Sequence, residues 1–216
     1  MPFGFPIFLE LSGRRTVVIG AFAVRQGKVD GLLAAGADDV LVLIGAGPVD
    51  ATSLPSDARV HLERRGWRPQ DLDGAFLCIA ASGDPEERSH IARAARERGV
   101  LVNVMDDVAN CDFAAPAIVR RGDLAIAIST GGRSPALARR LRELLGDRFG
   151  PEWAEILDVL RAVRDETGPR LPDLAERAER WQRALDLDEA EELIRSGRSE
   201  ELRSRLLERL VGRGAA

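Results

Sequence analysis

Cysteine is scarce: Cys78 and Cys111 are the only two in 216 residues, and each falls inside an apparent core segment. That excludes a disulfide framework and makes a reducing cytoplasm the expected setting. Histidine is as rare, with His61 and His90 lacking paired spacing, so no Cys/His cluster exists to hold a permanent metal. Lysine occurs once, at Lys28, and arginine carries nearly all the positive charge. With Lys+Arg at 31 and Asp+Glu at 35, the formal charge is −4, which gives no general attraction to nucleic acid or anionic lipid. No apolar run approaches the roughly 20 residues that span a bilayer. The opening Met1-Pro2-Phe3-Gly4-Phe5-Pro6 lacks the basic and unbroken apolar stretches of a secretion signal. What is present, 45% hydrophobic and 31% charged residues, is the composition of a globular protein rather than a disordered one.

The chain has three textures, which place domain boundaries at 1–112, 113–146 and 147–216. In the first, Thr16-Val17-Val18-Ile19, Val40-Leu41-Val42-Leu43-Ile44, residues 74–81 and Val100-Leu101-Val102-Asn103-Val104 read as strands, apolar on both faces. Helices are expected over 24–35 and 85–98, the second with Asp84 as its N-cap and Gly99 just past its end. Such alternation argues for an α/β fold with a parallel sheet covered by helices. In the second, residues 117–129 read as an antiparallel hairpin around Arg121-Gly122-Asp123, and Ser134-Pro135 opens a helix. The third has no strand signal, and its Arg/Glu/Leu pattern is divided by residues 168–172 and 196–197 into about three helices.

The first strand ends in Gly20 and leads into a helix, the position where a dinucleotide pyrophosphate sits in doubly wound folds. Gly20-Ala21-Phe22-Ala23-Val24-Arg25 keeps only the first glycine of the G-x-G-x-x-G fingerprint. Taken alone, it fits any tight βα turn equally well. A wider set of motifs points further: Gly13-Arg14-Arg15-Thr16-Val17-Val18-Ile19-Gly20, Val102-Asn103-Val104-Met105-Asp106-Asp107, Cys111-Asp112-Phe113, and Ile128-Ser129-Thr130-Gly131-Gly132-Arg133-Ser134-Pro135. In their residues, order and spacing these resemble the precorrin-2 dehydrogenase/sirohydrochlorin ferrochelatase family, the front part of siroheme synthase.

The resemblance implies a Rossmann-like domain, a small α+β dimerisation region and an all-helical C-terminal region, working as a homodimer. It implies NAD⁺-dependent oxidation of precorrin-2 to sirohydrochlorin, with ferrous iron as a further substrate in some members. By it, Asp106 takes the catalytic aspartate position. A carboxylate just past a strand at the carboxyl end of a parallel sheet suits proton transfer, although Asp107 beside it is an equally good local cap. Gly20, Ala21, Phe22, Ala23, Val24, Gly45, Ala46 and Ala81 are the expected cofactor-binding positions. Ser129, Thr130, Gly131, Gly132, Arg133 and Ser134 offer hydroxyls and amides ahead of a helix, a cradle for the carboxylates of a tetrapyrrole. Arg120, Arg121 and Arg139 are further candidates, each also readable as a solvated arginine.

One departure stands out. Family members carry Gly-Gly-Gly where this chain has Gly20-Ala21-Phe22, and the second strand does not end in an acid that would hold a ribose hydroxyl, since Asp38 and Asp39 precede it. A weakened NAD⁺ site is the expectation. Two alternatives stay open: a chelatase or tetrapyrrole-binding protein that no longer binds NAD⁺, and a dimeric Rossmann-like module without chemistry.

Overall fold

The computed structural model describes residues 4–45 and 56–212. It divides into two compact units, Met1–Ala115 and Pro116–Ala216. The second holds both the hairpin and the helices that the sequence separates into two regions.

Among the described residues of the first unit, five strands form one parallel sheet: β1 (Arg15–Ile19), β2 (Asp39–Leu43), β3 (Val60–Glu63), β4 (Leu77–Ala80) and β5 (Leu101–Val104), in the order β3-β2-β1-β4-β5. Its helices are α1 (Ala21–Arg25), α2 (Lys28–Ala34) and α3 (Pro85–Glu97). Successive side chains alternate faces, so each inner strand feeds two cores. Val17, Ile19, Leu41, Leu43, Cys78, Ala80, Val102 and Val104 join Ile91, Ala92, Ala94 and Ala95 of α3 on one face. Val18, Val40, Val42, Leu77 and Ile79 join Ala23, Val24, Val29 and Leu32 of α1 and α2 on the other. Fully burying each valine, leucine or isoleucine contributes roughly 1.5–3 kcal/mol, so strands apolar throughout belong in this middle layer. Helix α3 begins as its sequence dictates, with the Asp84 carboxylate accepting from the Glu86 N–H at 2.9 Å and Pro85 in the first turn.

Two local expectations are corrected. The helix expected over 24–35 is two short helices, because Gly27 adopts φ 66° and closes the first turn against Val24. Strand β3 falls in what the sequence shows as a polar stretch. It is an edge strand that pairs, among the described residues, with β2 alone, and His61, Leu62 and Glu63 are exposed on it.

The second unit opens with the antiparallel hairpin of β6 (Ala117–Arg121) and β7 (Leu124–Ile128), joined by Gly122-Asp123. Helix α4 (Pro135–Arg148) packs on β6. It is followed by α5 (Glu152–Thr167), α6 (Leu174–Ala184), α7 (Leu187–Arg195) and α8 (Ser199–Val211). The last four surround Trp153, Ile156, Val163, Leu193, Leu202, Leu206 and Leu210. Where about three helices were expected, the described residues hold four. The additional break lies at Leu185-Asp186, where the Asp186 carboxylate accepts from the N–H groups of Asp188 and Glu189 and starts α7.

The tightest point of the first unit is Gly20. Its φ is 96°, and a Cβ placed there would stand 2.1 Å from the carbonyl oxygen of Ala81. Gly36 has φ 89° but open space around it. Gly36→Ala should therefore cost the backbone penalty alone, about 1–2 kcal/mol. Gly20→Ala should cost at least about 2 kcal/mol more, because the two strand ends must part. Urea unfolding of both variants measures the difference, and equal losses would refute the steric argument.

Candidate functional site

Register fixes what lies at the carboxyl edge of the sheet. Ile19 is aligned with Leu43 and with Ala80, and Ala80 with Val104. The next residues continue the ladder: the Gly20 N–H donates to Leu43 O at 2.7 Å, Ala81 N–H to Ile19 O at 2.8 Å, and Met105 N–H to Ala80 O at 2.8 Å. Gly20, Ala81 and Met105 thus form one layer, with Gly45, Ser82 and Asp106 immediately beyond it. In a parallel sheet this edge is the binding edge. Asp38 and Asp39 lie at the opposite, amino end, where the Asp38 carboxylate accepts from the Gly13 N–H at 2.9 Å.

The sequence-expected cofactor positions divide by role. Gly20 forms the turn, and Gly45, at φ 68°, leaves β2 on the same edge. Ala23 and Val24 are buried in the core, so only their backbone could meet a ligand. Ala46 lies outside the described residues. Ala21 and Phe22 open α1, where no carbonyl one turn earlier can take their N–H groups. Phe22 is 42% exposed, with the Arg25 guanidinium 6.0 Å from its ring centroid.

Asp106 is, among the described residues, the one non-glycine with positive φ, 62°. Its neighbours leave it little choice. Met105 is held by Ala80, while the Asp107 N–H donates to Val104 O at 3.2 Å. The Asp107 carbonyl accepts from the Asn110 N–H at 3.0 Å and from the Cys111 thiol at 3.2 Å. The residue between turns left-handed, a conformation that aspartate tolerates better than most. Its carboxylate is exposed, with no hydrogen bond or ion pair to a described residue.

The two aspartates are therefore different groups. Asp107 Oδ2 accepts from the Asn110 side-chain amide at 2.9 Å and from the Arg88 guanidinium at 3.1 Å. These hold its carboxyl below the usual carboxylate range, the Asn110 hydrogen bond first. Asp107 is the carboxylate held by its neighbours, and Asp106 is the exposed one without a bond to a described residue. Behind them the Asn103 side chain donates to Phe113 O at 2.8 Å, and the Asp112 carboxylate accepts from the Val102 N–H at 3.1 Å. The Cys111 sulfur lies 3.2 Å from the Val104 amide nitrogen. The motif of residues 102–113 is thus a loop closed on its own strand. Burial pushes the Cys111 thiol up, and the Cys78 thiol up to about 12, so neither is a ready nucleophile.

In the second unit the hydroxyls of the 129–134 loop are engaged locally. Ser129 Oγ accepts from the Gly131 N–H at 3.1 Å, and Ser134 Oγ from the Leu137 N–H at 3.2 Å. Thr130 Oγ1 donates to Ser134 O at 3.2 Å and accepts from the Ser134 N–H at 3.3 Å. What the loop offers outward is the exposed Arg133 and the amide of Gly132, which adopts φ 75°. Arg139 pairs with Glu143 at 3.2 Å, and Arg121 donates to Gly146 O at 2.8 Å. Sequence reasoning missed Arg88 and Asn110. In an arginine-rich chain nothing marks Arg88 except its place four residues after the Asp84 cap.

A parallel sheet with a glycine turn at one strand end and a free carboxylate at another defines a doubly wound protein of the nucleotide-binding class. Comparison makes this specific. The family described as "Putative NAD(P)-binding" matches residues 7–117, and that described as "Sirohaem biosynthesis protein central" matches 121–148. The chain belongs to this NAD(P)-binding family, and the central segment that follows ties it to siroheme biosynthesis proteins. Siroheme synthase 1 of Pectobacterium atrosepticum is 35% identical over 207 residues, covering 95% of this chain and 42% of the relative. Siroheme synthase of Thioalkalivibrio sulfidiphilus is 33% identical, covering 94% of this chain and 41% of the relative. The chain thus spans less than half the length of these relatives. A solved structure of SirC, precorrin-2 dehydrogenase, superposes with a TM-score of 0.68 at 22% identity, covering 94% of this chain and 98% of that one. It shares the fold.

The left-handed backbone at Asp106 predicts an inverted stability pattern. Asp106→Gly should leave the melting temperature unchanged or raise it, since it removes the cost of a left-handed side chain. Asp106→Val should destabilise by about 1–2 kcal/mol, although the position is exposed. Thermal melts of both variants check this; a valine as stable as the glycine would overturn the conformational assignment.

Proposed function

We propose that this chain oxidises precorrin-2 to sirohydrochlorin with NAD⁺, with Asp106 as the proton acceptor. The observation that carries the reading is the Asp106 carboxylate: exposed, unpaired among the described residues, and one step beyond the layer that holds Gly20 and Ala81. When bound, the nicotinamide supplies the acceptor for the hydride that leaves the macrocycle. The Gly20 turn fits a dinucleotide in its open first-turn amides and its place at the carboxyl edge, with Gly45 and Ala81 lining the same edge. Asp106 takes the proton released from the carbon framework, and its free lone pairs leave it ready to do so. The 129–134 loop binds substrate carboxylates through Arg133 and the Gly132 amide rather than through its hydroxyls.

The same carboxylate is placed to receive the pyrrole protons that ferrous iron, as a second substrate, displaces from sirohydrochlorin. A second reading rests on Phe22. An aromatic side chain beside the first-turn amides hinders close approach of a diphosphate, which favours a chelatase or tetrapyrrole-binding protein with little use for NAD⁺. The two free cysteines suit a reducing cytoplasm. No helix among the described residues is long and apolar enough to cross a membrane.

Calorimetry separates the two readings. Losing one amide hydrogen bond to a charged group costs roughly 1.5–3 kcal/mol, so Phe22→Gly, with Ala21→Gly beside it, should bind NAD⁺ about tenfold tighter or more than the natural chain. Affinity unchanged by the substitution would show that Phe22 does not obstruct the turn. In a precorrin-2 turnover assay Asp106→Asn should lose activity while keeping its fold, and full activity would refute the catalytic assignment.

We also propose that the hairpin and α4 pair with a second copy of the chain. Helix α4 has no buried residue, and Ile118, Leu137 and Leu144 are 41%, 50% and 48% exposed. A two-stranded sheet leaves edges that require covering. Sedimentation at micromolar concentration should give a dimer, and Leu137→Glu with Leu144→Glu should give a folded monomer. A natural chain that sediments as a monomer would count against the interface.

A further inference from the structure

We infer that Arg88 is a positioning residue that sets where the Asp106 carboxylate stands relative to the end of β4; this rests on Asp106 being the proton acceptor. Arg88 lies in the first turns of α3, between the two loops that leave β4 and β5. Its guanidinium donates through Nε to Asp107 Oδ2 at 3.1 Å and through an Nη to Ser82 O at 3.1 Å. Ser82 directly follows Ala81, and Asp107 directly follows Asp106. One planar side chain therefore bridges the loops that leave β4 and β5.

Each loop is also pinned to α3 independently of Arg88. The Ser82 hydroxyl donates to Glu87 Oε2 at 2.5 Å, and Glu87 Oε1 accepts from the Trp67 indole N–H at 3.0 Å. Asn110 donates to Asp107 Oδ2 at 2.9 Å and lies 3.4 Å from the Ser89 hydroxyl. The anchors at Glu87 and Ser89 hold each loop to the helix; beyond the ladder bond from Met105 to Ala80, Arg88 is the one side chain among the described residues that bonds to both loops. An exposed ion pair would contribute little. This pair is half-buried, with side-chain exposures of 24% for Arg88 and 18% for Asp107, and the rigid fork reaches two acceptors at once. The positive charge goes to Asp107, which leaves Asp106 without a cationic partner and fixed only through its backbone.

Removing the bridge leaves the Asp106 carboxyl intact but free to shift with its loop, and misplacement by about 1 Å costs on the order of 100-fold in rate. The test sets Arg88→Ala, Arg88→Lys and Asp107→Asn into the natural chain and into Asp106→Asn. Steady-state kinetics, calorimetric titration with NAD⁺ and amide hydrogen exchange over 105–111 are read for each. For Arg88→Ala we expect kcat about 10–100-fold lower, with KM and the NAD⁺ dissociation constant within about twofold, and faster exchange over 105–111. Arg88→Lys should recover part of kcat, because an ammonium can meet Asp107 but has no planar fork to span both acceptors. In the Asp106→Asn background neither Arg88 variant should lower the residual rate further.

Full kcat in Arg88→Ala, or an equal loss in both backgrounds, overturns the positioning role and leaves Asp106 untouched. A natural chain without turnover, or Asp106→Asn at full rate, overturns the catalytic reading and the positioning role with it. If Arg88→Ala does not fold, Asp107→Asn carries the same expectation with the side-chain volume kept, and unchanged kcat there overturns the proposal.

Discussion

The carbonyl of Ala81 and the α-carbon of Gly20 approach so closely that no side-chain atom fits between them, and much of the first unit depends on that contact. It brings the ends of β1 and β4 to one level and lets the chain turn at once into α1. Both continue ladders, Gly20 to Leu43 and Ala81 to Ile19, so the contact also sets the level at which β2 ends. From Ala80 the register passes to Met105 and so to the turn that exposes Asp106. A displacement at Gly20 is therefore felt one and two strands away, because a parallel ladder transmits position along every hydrogen bond.

Much of this was legible in the residues themselves, for identifiable reasons. Strands β1, β2 and β4 are apolar on both faces, a pattern that two-sided burial demands, and Asp84-Pro85 marks the start of α3 without ambiguity. Strand β3 was not legible, because its successive residues His61, Leu62 and Glu63 are all exposed and so carry no apolar pattern on either face. Val24 to Ala35 has helical periodicity in composition, yet Gly27 breaks it by a backbone angle that composition does not encode. Asp186 is an ordinary acid in an acid-rich tail until its cap is seen.

The site was half legible. Gly20 and Asp106 show themselves because each occupies a strand end, where polar or glycine residues interrupt an apolar run. In the sequence only the motif resemblance points to Asp106, and residue type alone does not separate it from Asp107. That distinction arises from Arg88 and Asn110, which reach Asp107 across 19 and 3 residues of chain. The hydroxyls of Ser129, Thr130 and Ser134 look like ligands in a linear reading because side-chain type says nothing of which local amide each will satisfy. The three hydroxyls accept from the amides of Gly131, Ser134 and Leu137, which leaves Arg133 and the Gly132 amide outward.

The break at Gly27 bears on the turn before it. Separating α1 from α2 leaves a helix of five residues behind Gly20, too short for its peptide dipoles to sum to the partial charge of a long helix. Attraction for an anion at this turn is then a contact property of the few amides that point at it. It falls off within hydrogen-bonding distance, varies with the angle of each N–H, and steers nothing from afar. Whatever settles there is recognised by fit on arrival rather than drawn in by a field.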